Sequence, residues 1–324
     1  QLRRHNRSLS IELQPLSLEA TAQLVSSMIG YYPEPTVTNA LFAESAGNPL
    51  FALELMRSGQ FSTDSGLTDF PLGPTNNRRQ LPEKIDAVIR WRLDQLSATA
   101  RDLAATAAVI GHDFTQKLLG LASTKSGNDL LQGLDELWQR RIITEKGEAN
   151  YDFSHDYIRD VASDLVSPIQ RRYLHHRVAN ALQSESVSLG IDYSTRIANH
   201  FMQAGMMAEA RPYFERAGDV AASRYADEEA LLLYDQALSG WPEDEEAARF
   251  RLHGKRELIY SKLIVADEWF NELERMATAA ANLMLIDPNN VAPHVETAIR
   301  HSRYERFVLQ KVEMARLEEA LSIA

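Results

Sequence analysis

Histidine is the residue in this sequence with the widest chemical use, because a neutral imidazole can bind a metal ion or accept a proton. The chain has 9 histidines and no cysteine. No His-Glu-x-x-His motif occurs, and no two histidines are four residues apart, so none pair on one helix face as zinc ligands do. His175 and His176 are adjacent and point to different parts of a helix surface. We therefore expect neither a metal site nor thiol chemistry.

Other catalytic motifs are also missing from the sequence. It contains no Gly-x-Ser-x-Gly nucleophile elbow and no Gly-x-x-x-x-Gly-Lys-Ser/Thr phosphate loop. Acidic groups such as Asp129 with Asp135, or Glu243 to Glu246, are typical of solvated helix surface. The sequence therefore predicts that this chain by itself is not an enzyme.

Two short segments could still form binding sites. Gly47-Asn48-Pro49-Leu50-Phe51 falls between predicted helices, where a proline ring and free backbone groups could line an adenine pocket. Phe153-Ser154-His155-Asp156 opens a predicted helix, and His155 in its first turn lies beside unpaired N–H groups that favour an anion. Each segment also fits a simple helix cap or turn, which is the commoner use of such residues.

The elements that position these segments are mainly helices. Helical periodicity predicts a first helix ending near Gly30 with Ser17 as its N-cap, a second at about 36–46, and a third from Phe51. Residues 81–153 then predict helices, one of them capped by Ser97, followed by two short strands at 142–144 and 151–153 around a polar turn. Helices followed by such a hairpin predict a winged helix.

A winged helix raises the question of DNA binding, which needs basic and amide side chains on the third helix. Here that helix spans 128–141, and Asp129, Asp135 and Glu136 precede Arg140 and Arg141. The whole chain carries a net charge of −11, which opposes general attraction to nucleic acid. We therefore expect no direct DNA binding.

From about Asp192 onward, small and aromatic residues recur as they do in helical-hairpin repeats. Two triplets share a spacing of +4 and +7: Ala210, Phe214 and Ala217, then Ala230, Tyr234 and Ala237. Small residues let adjacent helices approach closely, and the aromatic fills the gap between them. Because the triplets are only 20 residues apart, the pattern is tetratricopeptide-like rather than a strict 34-residue array.

Composition and length set the broad class of the protein. The 324 residues are 44% hydrophobic and 24% charged, which is typical of a globular chain with about two domains. No apolar run approaches the roughly 18 to 20 residues that cross a bilayer, and the first residues lack the apolar core of a signal peptide. With no cysteine, these features predict a cytoplasmic protein without membrane contact.

The ends of the chain predict that it belongs to a longer protein. Residues 8–13 alternate as a half-buried strand does, with no partner strand following, and the first residue is Gln. Residues 313–324 stop inside a helical pattern that has no terminating Gly or Asn. Between the first helices and the winged helix, residues 58–80 are rich in breakers and predict a flexible linker.

Taken together, these segments resemble the bacterial STAND ATPases, the signal-transduction ATPases with numerous domains. The resemblance rests on four groups of residues in order: Ile11-Glu12-Leu13-Gln14-Pro15-Leu16-Ser17 with Gly47-Asn48-Pro49-Leu50-Phe51; Leu81-Pro82-Glu83-Lys84-Ile85; Phe153-Ser154-His155-Asp156; and Arg171-Arg172-Tyr173-Leu174-His175. It covers essentially the whole chain, and helical repeats follow the winged helix in that family too.

The resemblance implies roles for two residues. Pro49 would pack beside the adenine of a bound nucleotide. His155 would reach the β-phosphate of ADP, although Ser154 stands where the family's Met-His-Asp motif has methionine. The Walker motifs that bind ADP or ATP with Mg²⁺ would lie in a core upstream of Gln1, so this chain alone would hold no cofactor.

The predicted fold is mostly α, with a helical lid remnant, a winged helix with a small β-hairpin, and a solenoid of tetratricopeptide-like hairpins. The predicted parts are 1–57 (end of the core and lid), 58–80 (linker), 81–185 (winged helix and following helices) and 190–324 (repeats). In the parent protein the winged helix would clamp ADP, and the repeats would bind a protein or small-molecule inducer. The alternative is a self-contained repeat adaptor that binds a protein without any dependence on nucleotide.

Overall fold

The structure is a computed structural model that describes residues 14–57, 81–123, 125–147, 150–239 and 245–309. The predicted strand at 8–13, the linker at 58–80 and the helical pattern at 313–324 lie outside these ranges. The described elements, in chain order, are α1 (Leu18–Ile29), α2 (Pro35–Ser45), α3 (Pro49–Arg57), α4 (Leu81–Asp94), α5 (Ala98–Ile110), β1 (Phe114–Thr115), α6 (Gln116–Ala122), α7 (Gly127–Gln139), β2 (Ile143–Lys146), β3 (Asn150–Phe153), α8 (Asp156–Asp164), α9 (Pro168–Leu189), α10 (Ser194–Gln203), α11 (Met207–Ser223), α12 (Asp227–Leu238), α13 (Glu246–Leu263), α14 (Ala266–Ile286) and α15 (Ala292–Tyr304). A π-helical turn, Glu305–Leu309, follows α15.

The chain divides into two compact units. Unit 1 comprises residues 1–116 and 125–166, and unit 2 comprises residues 117–124 and 167–324. The division at 166/167 falls inside the range 81–185 that the sequence pattern assigns to the winged helix and its following helices.

The predicted helix caps form where the sequence places them. The Ser17 hydroxyl accepts a hydrogen bond from the Ala20 N–H at 3.1 Å, and α1 ends at Gly30 with a left-handed φ of 83°. Ser97 caps α5 in the same way, since its hydroxyl accepts from the Ala100 N–H at 3.1 Å. Each cap satisfies a backbone donor that has no partner inside its helix, which stabilises that helix by about 1 kcal/mol.

A three-stranded antiparallel sheet in the order β1-β3-β2 forms the wing. The predicted hairpin is confirmed as β2 and β3, with Ile143 opposite Phe153. Strand β1 was not predicted from the sequence; in this two-residue strand, Phe114 pairs with Tyr151. Along the chain, the order α5-β1-α6-α7-β2-β3 is that of a winged helix.

Unit 1 has a core shared between its helices. Helices α1, α2 and α3 pack against one another, α3 also packs on α4, and α8 packs on both α4 and α5. Val25, Leu41 and Phe51, one from each of the first three helices, are fully buried. Burial of each such side chain stabilises the fold by about 1.5 to 3 kcal/mol.

The main part of unit 2 is a series of helices, α9 to α15, in which each helix packs on the next. The two triplets noted in the sequence are fully or almost fully buried, but they lie on consecutive helices, α11 and α12, which explains their spacing of 20 residues. Gly218 of α11 faces Tyr234 of α12 so closely that a Cβ atom would stand 2.5 Å from the Tyr234 ring. At the contact between α11 and α12, a small residue therefore stands at the point of closest approach, and an aromatic ring fills the gap between the helices.

The mostly α fold class is confirmed, with a small three-stranded sheet and a series of packed helices. Within the described ranges, no helix is both long and apolar enough to cross a bilayer.

Candidate functional site

Pro49 occupies the first position of α3, directly after a tight turn. Gly47 precedes it with a φ of +75°, and a Cβ atom there would stand 2.4 Å from the Leu16 carbonyl oxygen. The Leu16 N–H donates to the Gly47 carbonyl at 2.8 Å, and the Asn48 carboxamide caps α3 by accepting from the Phe51 N–H. The turn thus fixes the start of α3 and leaves the Pro49 ring exposed.

His155 is the N-cap of α8. Its Nδ1 atom accepts a hydrogen bond from the Tyr157 N–H at 3.1 Å, and its ring is exposed. A neutral imidazole that accepts at Nδ1 carries its proton on Nε2. The cap interpretation is therefore correct for Nδ1, while Nε2–H remains able to donate to a group in front of the helix.

A polar cluster joins the wing to α8 beside His155. Asp152 of β3 is 3% exposed, and its carboxylate accepts from Lys146 Nζ at 2.5 Å and from the Phe153 N–H at 2.8 Å. His112 lies 3.4 Å from the same carboxylate and also contacts Arg159 of α8. Burial would raise the pKa of Asp152, but the hydrogen bonds from Lys146, Phe153 and His112 outweigh it and hold the pKa below its usual value.

A buried ion pair links the helix of Pro49 to the winged helix. Glu54 of α3 is fully buried and pairs with Arg92 of α4, which is 6% exposed. Arg92 also donates to the carbonyl oxygen of Arg140, the C-cap of α7, at 2.5 Å. The second Glu54 oxygen accepts from Arg57 at 2.9 Å. This pair was not predicted from the sequence, because nothing in the local pattern separates a buried charge from a solvated one.

Pro49 and His155 lie on different helices of unit 1. Their helices, α3 and α8, both pack on α4, so one helix supports both candidate residues.

The third helix of the winged helix, α7, presents an acidic and apolar outer face. Asp129, Gln132 and Asp135 are exposed, together with Leu131 and Trp138. Exposed Asp129 and Asp135 agree with the prediction of solvated surface. That prediction is wrong for Glu246, which is 8% exposed in the first turn of α13, where the helix dipole favours a carboxylate.

Helix α13 carries several buried polar groups of unit 2 that were not predicted from the sequence. Glu257 is fully buried and accepts from Trp269 Nε1 at 2.6 Å and from Arg303 at 2.7 Å. Glu272 of α14 accepts from His253 at 2.7 Å and from Arg256 at 3.0 Å. Burial would raise the pKa of Glu272, but these partners outweigh it and lower the pKa. Helices α13 and α14 are therefore held together by paired charges as well as by apolar packing.

Two histidines meet between α9 and α10. His175 and His200 approach with their Nδ1 atoms 2.9 Å apart, so one ring donates and the other accepts. Burial lowers the pKa of His200 to about 3, and the nearby His175 and Arg196 add to the effect. His176 faces elsewhere, 3.0 Å from the Asn180 carboxamide. In the described part of the chain, no group of three or more metal-binding side chains comes together.

Comparisons with known proteins gave two partial likenesses. No protein-family model matches this chain. An uncharacterized protein from Rhizobium meliloti (strain 1021) is 29% identical over 241 residues, which is 70% of this chain and 22% of that protein. The crystal structure of a STAND protein with a tetratricopeptide repeat sensor from Pyrococcus horikoshii aligns with 97% of this chain and 47% of that chain, at 14% identity and a TM-score of 0.41. The chain thus spans less than a quarter of the first protein and about half of the second.

Proposed function

We propose that this chain is the regulatory and sensor part of a STAND-type switch ATPase. In this proposal the winged helix of unit 1 clamps ADP against a nucleotide-binding core that the longer protein supplies. The helical hairpins of unit 2 receive an inducer, which releases the clamp. A switch of this kind needs two states whose populations the inducer can shift.

The observation that carries the proposal is the geometry of His155. Its ring is exposed, and one hydrogen bond, from the Tyr157 N–H to Nδ1, fixes its orientation at the start of α8. The Nε2–H group can then donate to a phosphate oxygen placed before the helix, where the helix dipole also favours negative charge. Asp156 and Asp160 carry negative charge nearby, and Arg159 offsets part of it through contacts of 3.7 and 2.9 Å.

This chain alone and the longer protein should differ in how tightly they bind nucleotide. The chain alone should bind ADP no more tightly than about 1 mM, which corresponds to about −4 kcal/mol, because it has no phosphate loop. The adaptor alternative predicts no nucleotide effect in the longer protein either. DNA binding is not part of the proposal, since α7 presents Asp129 and Asp135 to solvent.

The test compares two substitutions of His155 in the full-length protein. His155→Asn keeps an N-cap side chain but removes the imidazole, and His155→Ala removes both. Both variants should weaken ADP binding by roughly 10- to 150-fold, because one charge-assisted hydrogen bond of about 1.5 to 3 kcal/mol is lost. Affinity is measured by titration with a fluorescent ADP analogue, and His294→Asn in α15 serves as the matched control.

Thermal unfolding of the same variants separates the two roles of His155. His155→Asn should keep the stability of the wild type within about 0.5 kcal/mol, whereas His155→Ala should lose up to about 1 kcal/mol with the cap. Unchanged ADP affinity in His155→Asn would reduce His155 to a helix cap and remove the main support for the proposal.

A further inference from the structure

A small cavity lies in unit 2 where the first turn of α10, the last turns of α11 and the start of α12 meet. Its volume is about 170 Å³, below the roughly 300 to 1,000 Å³ of pockets for drug-sized ligands. An apolar cavity of about 150 Å³ can hold one benzene molecule, so this cavity has room for a ligand of roughly six to nine non-hydrogen atoms. That is the size of a small metabolite.

Two guanidinium groups line this cavity, and Arg224 lies near enough to the Asp192 carboxylate to help lower its pKa. Arg196 of α10 stacks over the Tyr193 ring at 5.6 Å, and Arg224 follows the last turn of α11. Neither makes an ion pair with any residue that the structure describes. Arg251, in the same unit, is by contrast paired with Glu215 at 2.8 Å. Two guanidinium groups at one cavity, neither of them in an ion pair, favour a carboxylate ligand.

The opposite charge is also present at the cavity. Glu229, in the first turn of α12, lines it and has no ion-pair partner among the described residues. Asp192 lines it too, but its carboxylate already accepts from the Ser194 N–H at 2.8 Å and lies 3.9 Å from Arg216. Glu229 is therefore the carboxylate most able to accept a hydrogen bond from a ligand's ammonium group.

Part of the remaining wall is apolar, while Tyr193, Ser194 and Thr195 add polar groups to it. Ala217 and Ala221 are buried on α11, and half-buried Val220 lies between them in sequence. These side chains offer no hydrogen bond, so the part of a ligand that contacts them must be aliphatic.

We propose that this cavity binds a neutral aliphatic α-amino acid. Arg196 and Arg224 hold its carboxylate, Glu229 holds its ammonium group, and the side chain lies against Ala217 and Val220. The site rests on the proposed sensor role, for which the amino acid would be the input.

The experiment uses this chain without nucleotide and three matched probes, measured by calorimetric titration. L-Leucine carries both charged groups, 4-methylpentanoate lacks the ammonium group, and 3-methylbutylamine lacks the carboxylate. Leucine should bind at least about tenfold more tightly than either analogue, because each analogue leaves one charged contact unmade. Arg196→Gln and Arg224→Gln should each weaken the binding of leucine at least about tenfold. Val220→Phe should prevent leucine binding, because the larger side chain fills the cavity. Arg172→Gln, an exposed arginine of α9 away from the cavity lining, is the control.

Glu229→Gln tests the ammonium contact by itself. This substitution should weaken the binding of leucine and leave the affinity for 4-methylpentanoate unchanged. Equal binding of leucine and 4-methylpentanoate, or leucine binding that survives both arginine substitutions, would overturn the proposal, as would no saturable binding of leucine below about 10 mM. Because the assay contains no nucleotide, these outcomes are independent of the His155 test of the sensor role.

Discussion

The buried pair Glu54–Arg92 should contribute strongly to the stability of unit 1. Glu54→Gln keeps the size of the side chain and removes its charge, so the Arg92 guanidinium stays buried with only neutral acceptors, the glutamine and the Arg140 carbonyl. Removing one partner of a buried pair leaves an uncompensated charge, which costs about 3 to 5 kcal/mol. Domain stabilities are only about 5 to 15 kcal/mol, so the loss is a large fraction of the total.

The assay is thermal and urea unfolding of the wild type and of four variants. At about 2 to 4 °C per kcal/mol for a domain of this size, Glu54→Gln should lower the melting temperature of unit 1 by roughly 10 °C. Arg92→Met should have a similar effect, and the double variant should be more stable than the sum of the two losses predicts, with a coupling of about 2 kcal/mol. Trp91 and Trp138, both partly exposed in unit 1, report its unfolding by fluorescence.

The matched control is a second Arg–Asp/Glu pair on the same helix. Arg90 and Asp86 pair at i, i+4 on α4, but their side chains are 38% and 32% exposed. Arg90→Met should therefore change the stability by no more than about 0.5 kcal/mol. If Glu54→Gln proved equally mild, the pair would have to be solvated, and the argument from burial would be refuted.

Two further predictions rest on the surroundings of single residues, and a third rests on surface charge. Gly218→Ala should destabilise unit 2 by about 1 to 3 kcal/mol in urea unfolding, because its Cβ would stand 2.5 Å from the Tyr234 ring. Gly254→Ala is the control: its Cβ would make only contacts of 3.4 Å or longer, so the variant should be as stable as the wild type or more stable. His200 stays neutral when folded, with its pKa near 3, while an unfolded imidazole takes up a proton below about pH 6.5. Stability is therefore lost as the pH falls from about 6.5 toward 3, by roughly 2 kcal/mol at pH 5, and melting temperatures of His200→Gln should fall less between pH 7 and 5. Duplex DNA of mixed sequence should not shift the chain in a gel at physiological salt; retention with a steep salt dependence would contradict this.

Much of the fold could be predicted because its signals are local. Ser17 and Ser97 cap helices through contacts within three residues, and Gly30 ends α1 by adopting a left-handed conformation that costs other residues energy. The wing hairpin was visible because its strands flank a polar turn. Strand β1 was not, because two residues show no periodicity and Phe114 is in a strand only through its pairing with Tyr151.

The polar interior could not be predicted, since burial of a charge depends on a distant partner. Glu54 and Arg92 are 38 residues apart, and Glu257 meets Arg303 across 46. In the sequence each looks like a solvated helix residue. The same reason explains why His175 was assigned no role, because its partner His200 lies on the next helix.

The Glu54–Arg92 pair also has a consequence for the proposed switch. Pro49 begins α3, which carries Glu54. His155 caps α8, which packs on α4, the helix that carries Arg92. If both residues contact one nucleotide, the correct spacing of the two contacts depends on α3, α4 and α8 moving as one body. Glu54→Gln should then weaken ADP binding in the full-length protein, although the Glu54 carboxylate is fully buried and therefore out of reach of a ligand. Arg90→Met, at a partly exposed position of α4, should leave the affinity for ADP unchanged. A Glu54→Gln variant that is destabilised yet binds ADP normally, measured well below its melting temperature, would show that α3 and α8 do not share one ligand.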